Sequence, residues 1–333
     1  MQEEEFTRIT TGLLRGERLF LSKAITLAET QNPQLFSFRN RLLELAESRP
    51  KSAGFRLSVT GVPGAGKSTL INQLGLHWIK SGHRVAVLAV DPSSEVSQGS
   101  VLGDKTRMAE LSREENAFIR PSPTRLHLGG VASTTYETLL LCEMAGFDRI
   151  IVETVGVGQS ELEASQLTDA CLLLLIAGTG DELQAVKRGI LEAGDLFLIN
   201  KADGENNSRA QTFARELKQM AAVWAKKENR PEPEIFCGSG INPSSAEELA
   251  GKLDAFHQFI DSSGLKTEIR RKQVIRRADI LLRMKINERL VCSAEWEEVN
   301  RKLREQLEKE PERLFSEINE ITLGFSFRFG LPG

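Results

Sequence analysis

The chain has 333 residues, 40% of them hydrophobic and 27% charged, with 43 Lys and Arg against 46 Asp and Glu for a net charge of -3. At roughly 150 residues per domain this is about two domains' worth of chain, enough for a real core. The near-neutral balance excludes a wholesale nucleic-acid binder and a disordered chain.

Residues 6 to 47 carry Leu13, Leu14, Leu19, Leu21, Ile25 and Leu27 at helical spacing, with QNPQ at 31 to 34 interrupting, so residues 1–50 are expected to form an amphipathic helical arm. From Phe55 the pattern changes to short, continuously apolar runs: FRLSVT, VAVLAVD, RIIVE, CLLLLIAG, DLFLIN and EIFCG. Unbroken apolarity is the mark of buried parallel strands. Helical stretches at Thr69 to Lys80, Tyr136 to Ala145, Asp181 to Glu192 and Arg209 to Lys227 alternate with them, which predicts a doubly wound, mostly parallel α/β sheet over residues 51–265. After Ser263 the strands stop. Lys266 to Val291 reads as one helix, Trp296, Val299, Leu303 and Leu307 mark a second, and Leu314, Phe315, Ile318 and Ile321 a third, with Pro311 between them and Gly324 as a cap. This segment, 266–333, must bury its stripes against the α/β domain or against another subunit.

Four cysteines, Cys142, Cys171, Cys237 and Cys292, lack CxxC spacing, so neither a disulfide framework nor a zinc site is expected. The longest apolar run, Ala170 to Ala177, is far shorter than the ~20 residues of a membrane helix. The start MQEEE has no basic signal-peptide region, so a cytoplasmic protein without a membrane partner is expected.

The segment Gly61-Val62-Pro63-Gly64-Ala65-Gly66-Lys67-Ser68 matches GxxxxGK[ST], follows the run FRLSVT and opens a helix at Thr69. Glycines let the backbone curl so that successive N–H groups face phosphate oxygens, and the helix N-terminus adds its positive dipole end. Lys67 would pair the β and γ phosphates and Ser68 would hold Mg²⁺; a plain Gly-rich turn is the bland alternative. Asn200-Lys201-Ala202-Asp203 follows the run DLFLI. The Asp203 carboxylate can accept from both N1–H and the 2-amino group of guanine, whereas adenine has no such donors, so GTP and GDP are the expected nucleotides. Glu153 ends RIIVE and Gly156 follows three residues later, which suits a carboxylate on the Mg²⁺ side and a glycine approaching the γ phosphate; a structural ion pair is the alternative for Glu153.

Together with VDPSS at 90 to 94, LGDKTRM at 102 to 108, FIRP at 118 to 121, HLGG at 127 to 130, VETVGVGQSE at 152 to 161 and GDELQ at 180 to 184, the chain resembles the MeaB/ArgK GTPases, whose members include the methylmalonic aciduria type A proteins. The resemblance spans roughly residues 12 to 265. It implies a homodimeric GTP hydrolase acting as a chaperone for an adenosylcobalamin-dependent acyl-CoA mutase, chiefly methylmalonyl-CoA mutase, gating cofactor delivery and limiting inactivation. A cobalamin adenosyltransferase is a further partner to look for. Asp91, Asp104 and Glu153 correspond to family acids around Mg²⁺ and the hydrolytic water. Asp181, Glu182, Gln184 and Lys187 correspond to an extra switch that couples the partner to hydrolysis, although Asp and Glu also favour a first helical turn.

Three departures stand out. AGTGDE at 177 to 182 replaces the family's PGAGDE; the guanine loop, SA or SAL in the family, reads Cys237-Gly238-Ser239-Gly240, with Ser239 as the base contact; and the segment after Lys266 matches weakly. A metal-insertion GTPase is disfavoured because His77, His83, His127 and His257 are isolated. A kinase tied to basic amino-acid transport lacks a recognisable acceptor site. Lys266 to Arg289 carries nine basic residues against three acids, which suits phosphate binding or equally a salt-bridge face, and the absence of stacking aromatics there disfavours nucleic acid.

Overall fold

The computed structural model describes residues 1–30, 32–48, 54–91, 108–123, 130–154, 159–177, 191, 193–228, 232–291 and 294–309. The chain divides into two compact units, Met1–Val274 and Ile275–Gly333.

In the first unit, three helices, α1 (Glu3–Leu14), α2 (Arg18–Ala28) and α3 (Phe36–Glu47), precede β1 (Phe55–Gly61), α4 (Lys67–Lys80), β2 (Val85–Asp91), β3 (Ala117–Pro123), α5 (Gly130–Met144), β4 (Arg149–Thr154), α6 (Gln159–Ser165), β5 (Ala170–Ile176), β6 (Leu196–Asn200), α7 (Asn206–Glu228), β7 (Glu234–Cys237) and α8 (Pro243–Ser262). Helix α9 (Leu265–Val291) begins in this unit. The seven strands form one sheet in the order β3-β2-β4-β1-β5-β6-β7, and all six pairings are parallel. The six apolar runs are therefore strands of a parallel sheet, as their continuous apolarity predicts. Of the predicted helix at Asp181 to Glu192 only Leu191 is among the described residues, and the one around Leu314 to Ile321 lies outside them.

Strand β3 was not among the predicted runs. Its sequence, AFIRPSP, contains Arg120 and two prolines, and proline cannot donate to a ladder. The strand sits at the sheet edge, where it needs a partner on one side only, and Pro121 is aligned with Ala89 of β2.

The two-residue alternation of β5 and β6 feeds two cores, one on each face of the sheet. Leu57 and Val59 of β1, Leu172 and Leu174 of β5, and Leu196 and Leu198 of β6 pack with Leu70, Leu74 and Trp78 of α4 and with Leu249 and Leu253 of α8. Their neighbours Leu173, Leu175, Phe197 and Ile199 face Ala210, Phe213 and Leu217 of α7. Covered on both faces, β1, β4 and β6 are buried along their whole length. The amino-terminal helices pack on α5 through α2 and α3. Gly16 turns the chain between α1 and α2 with φ 73°, and its carbonyl accepts from Arg84 Nη2 at 2.8 Å.

A closed ion cluster lies near the amino ends of β1 and β5. Arg56 of β1 forks onto Glu143 of α5 at 2.9 and 2.7 Å. Arg270 of α9 forks onto Asp169 at 2.8 and 2.7 Å and also reaches Glu143 at 3.0 Å, while Asp169 accepts from the Arg56 backbone N–H. Arg270 is thus one of the nine basic residues that serves an intramolecular salt bridge. Burial alone would raise the Asp169 carboxyl, but the hydrogen bonds and charge of Arg270, with Arg56, outweigh it and hold it below its ordinary value.

In the second unit, α9 continues to Val291 and α10 (Ala294–Lys309) follows. Exposed i,i+4 pairs, Arg301 with Glu305 and Lys302 with Glu298, line α10, and Trp296, Val299 and Leu303 of its predicted apolar stripe are half-buried. Among the described residues, no helix is long and apolar enough to cross a membrane.

Candidate functional site

Parallel strands deliver their carboxyl ends to one rim of the sheet, and that rim is where open α/β sheets hold ligands. Gly61 ends β1, Asp91 ends β2, Glu153 lies one residue before the end of β4, and Asn200 ends β6. The backbone of Asp91 is aligned with Pro123 at the sheet edge.

Val62, Pro63, Gly64, Ala65 and Gly66 form the loop between β1 and α4, and Lys67, Ser68 and Thr69 make the first turn of α4. Two glycines are required by geometry. At Gly61 (φ 147°) an added Cβ would stand 2.2 Å from the Leu174 carbonyl oxygen of neighbouring β5, and at Gly66 (φ 88°) it would stand 2.8 Å from Asn200 Nδ2. The Lys67 ammonium is buried and donates to the carbonyls of Gly61 (2.8 Å) and Val62 (3.2 Å), so the lysine is folded back over its own loop.

The Ser68 hydroxyl donates to Glu153 Oε1 at 2.7 Å. This joins residues 85 positions apart, one on the nucleotide-loop helix and one on β4, and leaves both oxygens beside the loop. A hydroxyl and a carboxylate are the hard oxygen donors that Mg²⁺ takes, and the positive-φ glycines shape a cradle open to phosphate, so the residues fit both groups. Among the described residues, no three His, Cys, Asp or Glu side chains form a metal-holding cluster.

The opposite end of the site is built from two loops tied together. Asn200 Nδ2 donates to the Ala65 carbonyl at 2.6 Å, and its Oδ1 accepts from the Gly240 N–H at 2.7 Å. The Ala202 N–H donates to the Gly238 carbonyl, and the Gly238 N–H to Ile199. Lys201, at φ 59°, is the one non-glycine in the left-handed region among the described residues. That conformation costs about 1–2 kcal/mol, and such strain concentrates at functional sites. It lets the chain turn so that Asp203 comes back over Ser239, whose hydroxyl donates to Asp203 Oδ2 at 2.8 Å. Ser239 and Gly240 are buried, while Lys201 and Asp203 are exposed.

Lys67, Ser68 and Glu153 thus meet at one end, and Asn200, Asp203, Ser239 and Gly240 at the other, with Asn200 joining the two. Asp104, Gly156, Asp181 and Lys187 lie outside the described residues. Sequence reasoning missed Ser245, whose Oγ accepts from the Ser239 N–H at 3.2 Å. Its signal was local: Asn242 caps α8 by accepting from Ser244, with Pro243 in the first turn, which fixes Ser245 at the helix start. Nearby Cys237 has its thiol pushed up by burial, which keeps it protonated at neutral pH.

The family model described as methylmalonyl Co-A mutase-associated GTPase MeaB matches residues 21–295. The GTPase ArgK of Escherichia coli is 42% identical over 264 residues, covering 79% of each chain. The mitochondrial methylmalonic aciduria type A homolog of Mus musculus is 46% identical over 275 residues, covering 78% of this chain and 64% of its own length. A crystal structure of a LAO/AO transport system kinase superposes with a TM-score of 0.72 at 29% identity, covering 97% of this chain and 99% of that one. With a parallel sheet, a nucleotide loop and a match over most of its length, the chain belongs to the MeaB family of P-loop GTPases.

Proposed function

We propose that this chain hydrolyses GTP and uses the cycle as a chaperone for an adenosylcobalamin-dependent acyl-CoA mutase, with methylmalonyl-CoA mutase as the first client to test. The contact between Ser68 and Glu153 carries the catalytic part, because it puts a hydroxyl and a carboxylate side by side at the foot of the nucleotide loop. The family match and the methylmalonic aciduria type A relative support the client.

On binding, Lys67 exchanges the Gly61 and Val62 carbonyls for phosphate oxygens, and the α4 N-terminus faces the same charge. Asp203 accepts from the guanine edge and Asn200 keeps its loop in register with the phosphate loop. Mg²⁺, when bound, supplies positive charge against that developing on the phosphates. Ser68, Asp91 and Glu153 would hold it, with Asp104 as a further acid of the same reading. Asp181 and Lys187 are assigned to the partner-responsive switch, and the carboxy-terminal helices to a homodimer contact. A cytoplasmic setting belongs to the same reading.

The test is GTP turnover measured alone and with methylmalonyl-CoA mutase, alongside co-elution of the two. Stimulated turnover and a GTP-dependent complex are expected; an unchanged rate and no complex would overturn the chaperone reading. The similarity to a transport-system kinase favours a second reading. Phosphoryl transfer to arginine or to a binding protein, rather than to water, would support that one.

A further inference from the structure

We infer that Ser245 is a positioning residue for guanine selection, acting through Ser239 on Asp203. The inference rests on Asp203 reading the guanine edge. Three hydrogen-bonding groups stand in line: the Ser245 Oγ accepts from the Ser239 N–H at 3.2 Å, and the Ser239 Oγ donates to Asp203 Oδ2 at 2.8 Å.

Each link has a reason to be rigid. Ser245 sits in the first turn of α8, behind Pro243 and the Asn242 cap, and its own N–H donates to the Asn242 carbonyl. Helix α8 is anchored in the core by Leu249 and Leu253. The serine also packs closely on the loop, since a Cβ built at Gly238 would lie 3.4 Å from Ser245 Cβ and 3.5 Å from its Oγ. Ser239 is buried, so its backbone N–H has no ready water substitute if the hydroxyl is removed. Gly240, next in the chain, is held independently by Asn200. The loop is therefore pinned at two adjacent residues, by Asn200 on the phosphate side and by Ser245 on the helix side.

The chemical consequence is specific. The Ser239 hydroxyl occupies one oxygen of Asp203 and orients the carboxylate, so the direction in which the carboxylate meets a purine is set by where Ser239 stands. An exposed aspartate on a turn would otherwise be free to rotate. Removing the Ser245 hydroxyl leaves the phosphate end intact and lets the Ser239 segment move, which should weaken reading of the base rather than of the phosphates.

The experiment compares Ser245→Ala and Ser245→Thr with the wild-type full chain, measuring binding of GDP, IDP and ADP by calorimetry at constant Mg²⁺. IDP lacks the 2-amino group that a carboxylate at Asp203 would accept from. Losing a hydrogen bond to a buried N–H corresponds to about tenfold. Ser245→Ala should bind GDP about tenfold more weakly and IDP, which keeps N1–H, by a smaller factor, narrowing the GDP-over-IDP preference while ADP affinity changes little, and Ser245→Thr, which keeps the hydroxyl, should restore both the GDP affinity and the preference. A wild-type GDP-over-IDP preference in Ser245→Ala would overturn the inference, as would a uniform loss for all three nucleotides that Ser245→Thr fails to restore. A wild-type protein that binds GDP and ADP equally would overturn the guanine reading itself, and with it this inference.

Discussion

The carboxamide of Asn200 spans the site, donating to the Ala65 carbonyl at 2.6 Å while accepting from the Gly240 N–H at 2.7 Å. Asn200 is itself buried, so its removal strands two groups away from water. Each unmade buried hydrogen bond costs about 1–3 kcal/mol. Asn200→Ala is expected to lower the free energy of unfolding by about 2 kcal/mol or more and to weaken GDP binding, as checked by urea titration and calorimetry.

At the phosphate end, Lys67→Ala and Ser68→Ala are expected to abolish GTP turnover, because charge developing on the phosphates would lose its preorganised partners. Glu153→Gln keeps the acceptor for the Ser68 hydroxyl but removes the charge, so it should raise the Mg²⁺ concentration needed for half-maximal turnover. Steady-state phosphate release against Mg²⁺ checks both. Wild-type turnover by Lys67→Ala would show that the loop is not the phosphate site.

Asp203 is expected to set the choice of base. Asp203→Asn should reduce GTP binding by about tenfold to a hundredfold, the worth of a charge-assisted pair, and should shift preference toward xanthosine nucleotides, whose C2 carbonyl can accept from the new amide. Competition of GTP, XTP and ATP for a labelled nucleotide reads this directly.

The Arg270 and Asp169 pair predicts an acid limb in stability. The Asp169 carboxyl is held below its ordinary value of 3.8 in the fold, so its contribution is present in full above that value and is lost as the pH falls through the lower, folded one. Removing one partner of a buried pair costs about 3–5 kcal/mol. Arg270→Ala should therefore unfold at lower urea at pH 7, and Asp169→Asn should both destabilise at pH 7 and flatten the decline below pH 3.8, measured by urea midpoints across pH.

Local patterns made most of the frame legible. The nucleotide loop could be read because Gly61 to Ser68 is contiguous and its backbone demands are met by its own residues. Five strands could be read because burial on both faces forces continuous apolarity, and β7, a half-buried edge strand, because Ile235, Phe236 and Cys237 are still apolar in a row. Strand β3 could not, since an edge position tolerates Arg120, Pro121 and Pro123, which mask strand character. Contacts between distant residues belong to the tertiary structure alone. Ser68 meets Glu153 only because β1 and β4 are neighbours in a parallel sheet that presents their ends together. Arg270 reads in sequence as one charge on a basic helix, and packing turns it into the buried partner of Asp169. Asn200 reads as part of a four-residue motif, and its hold on both loops exists only once β6 is placed beside β5 and the carbonyl of Ala65 comes within reach. Propensity and burial pattern act over a few residues and leave a trace in the sequence; hydrogen bonds across a hundred residues are set by topology and leave none.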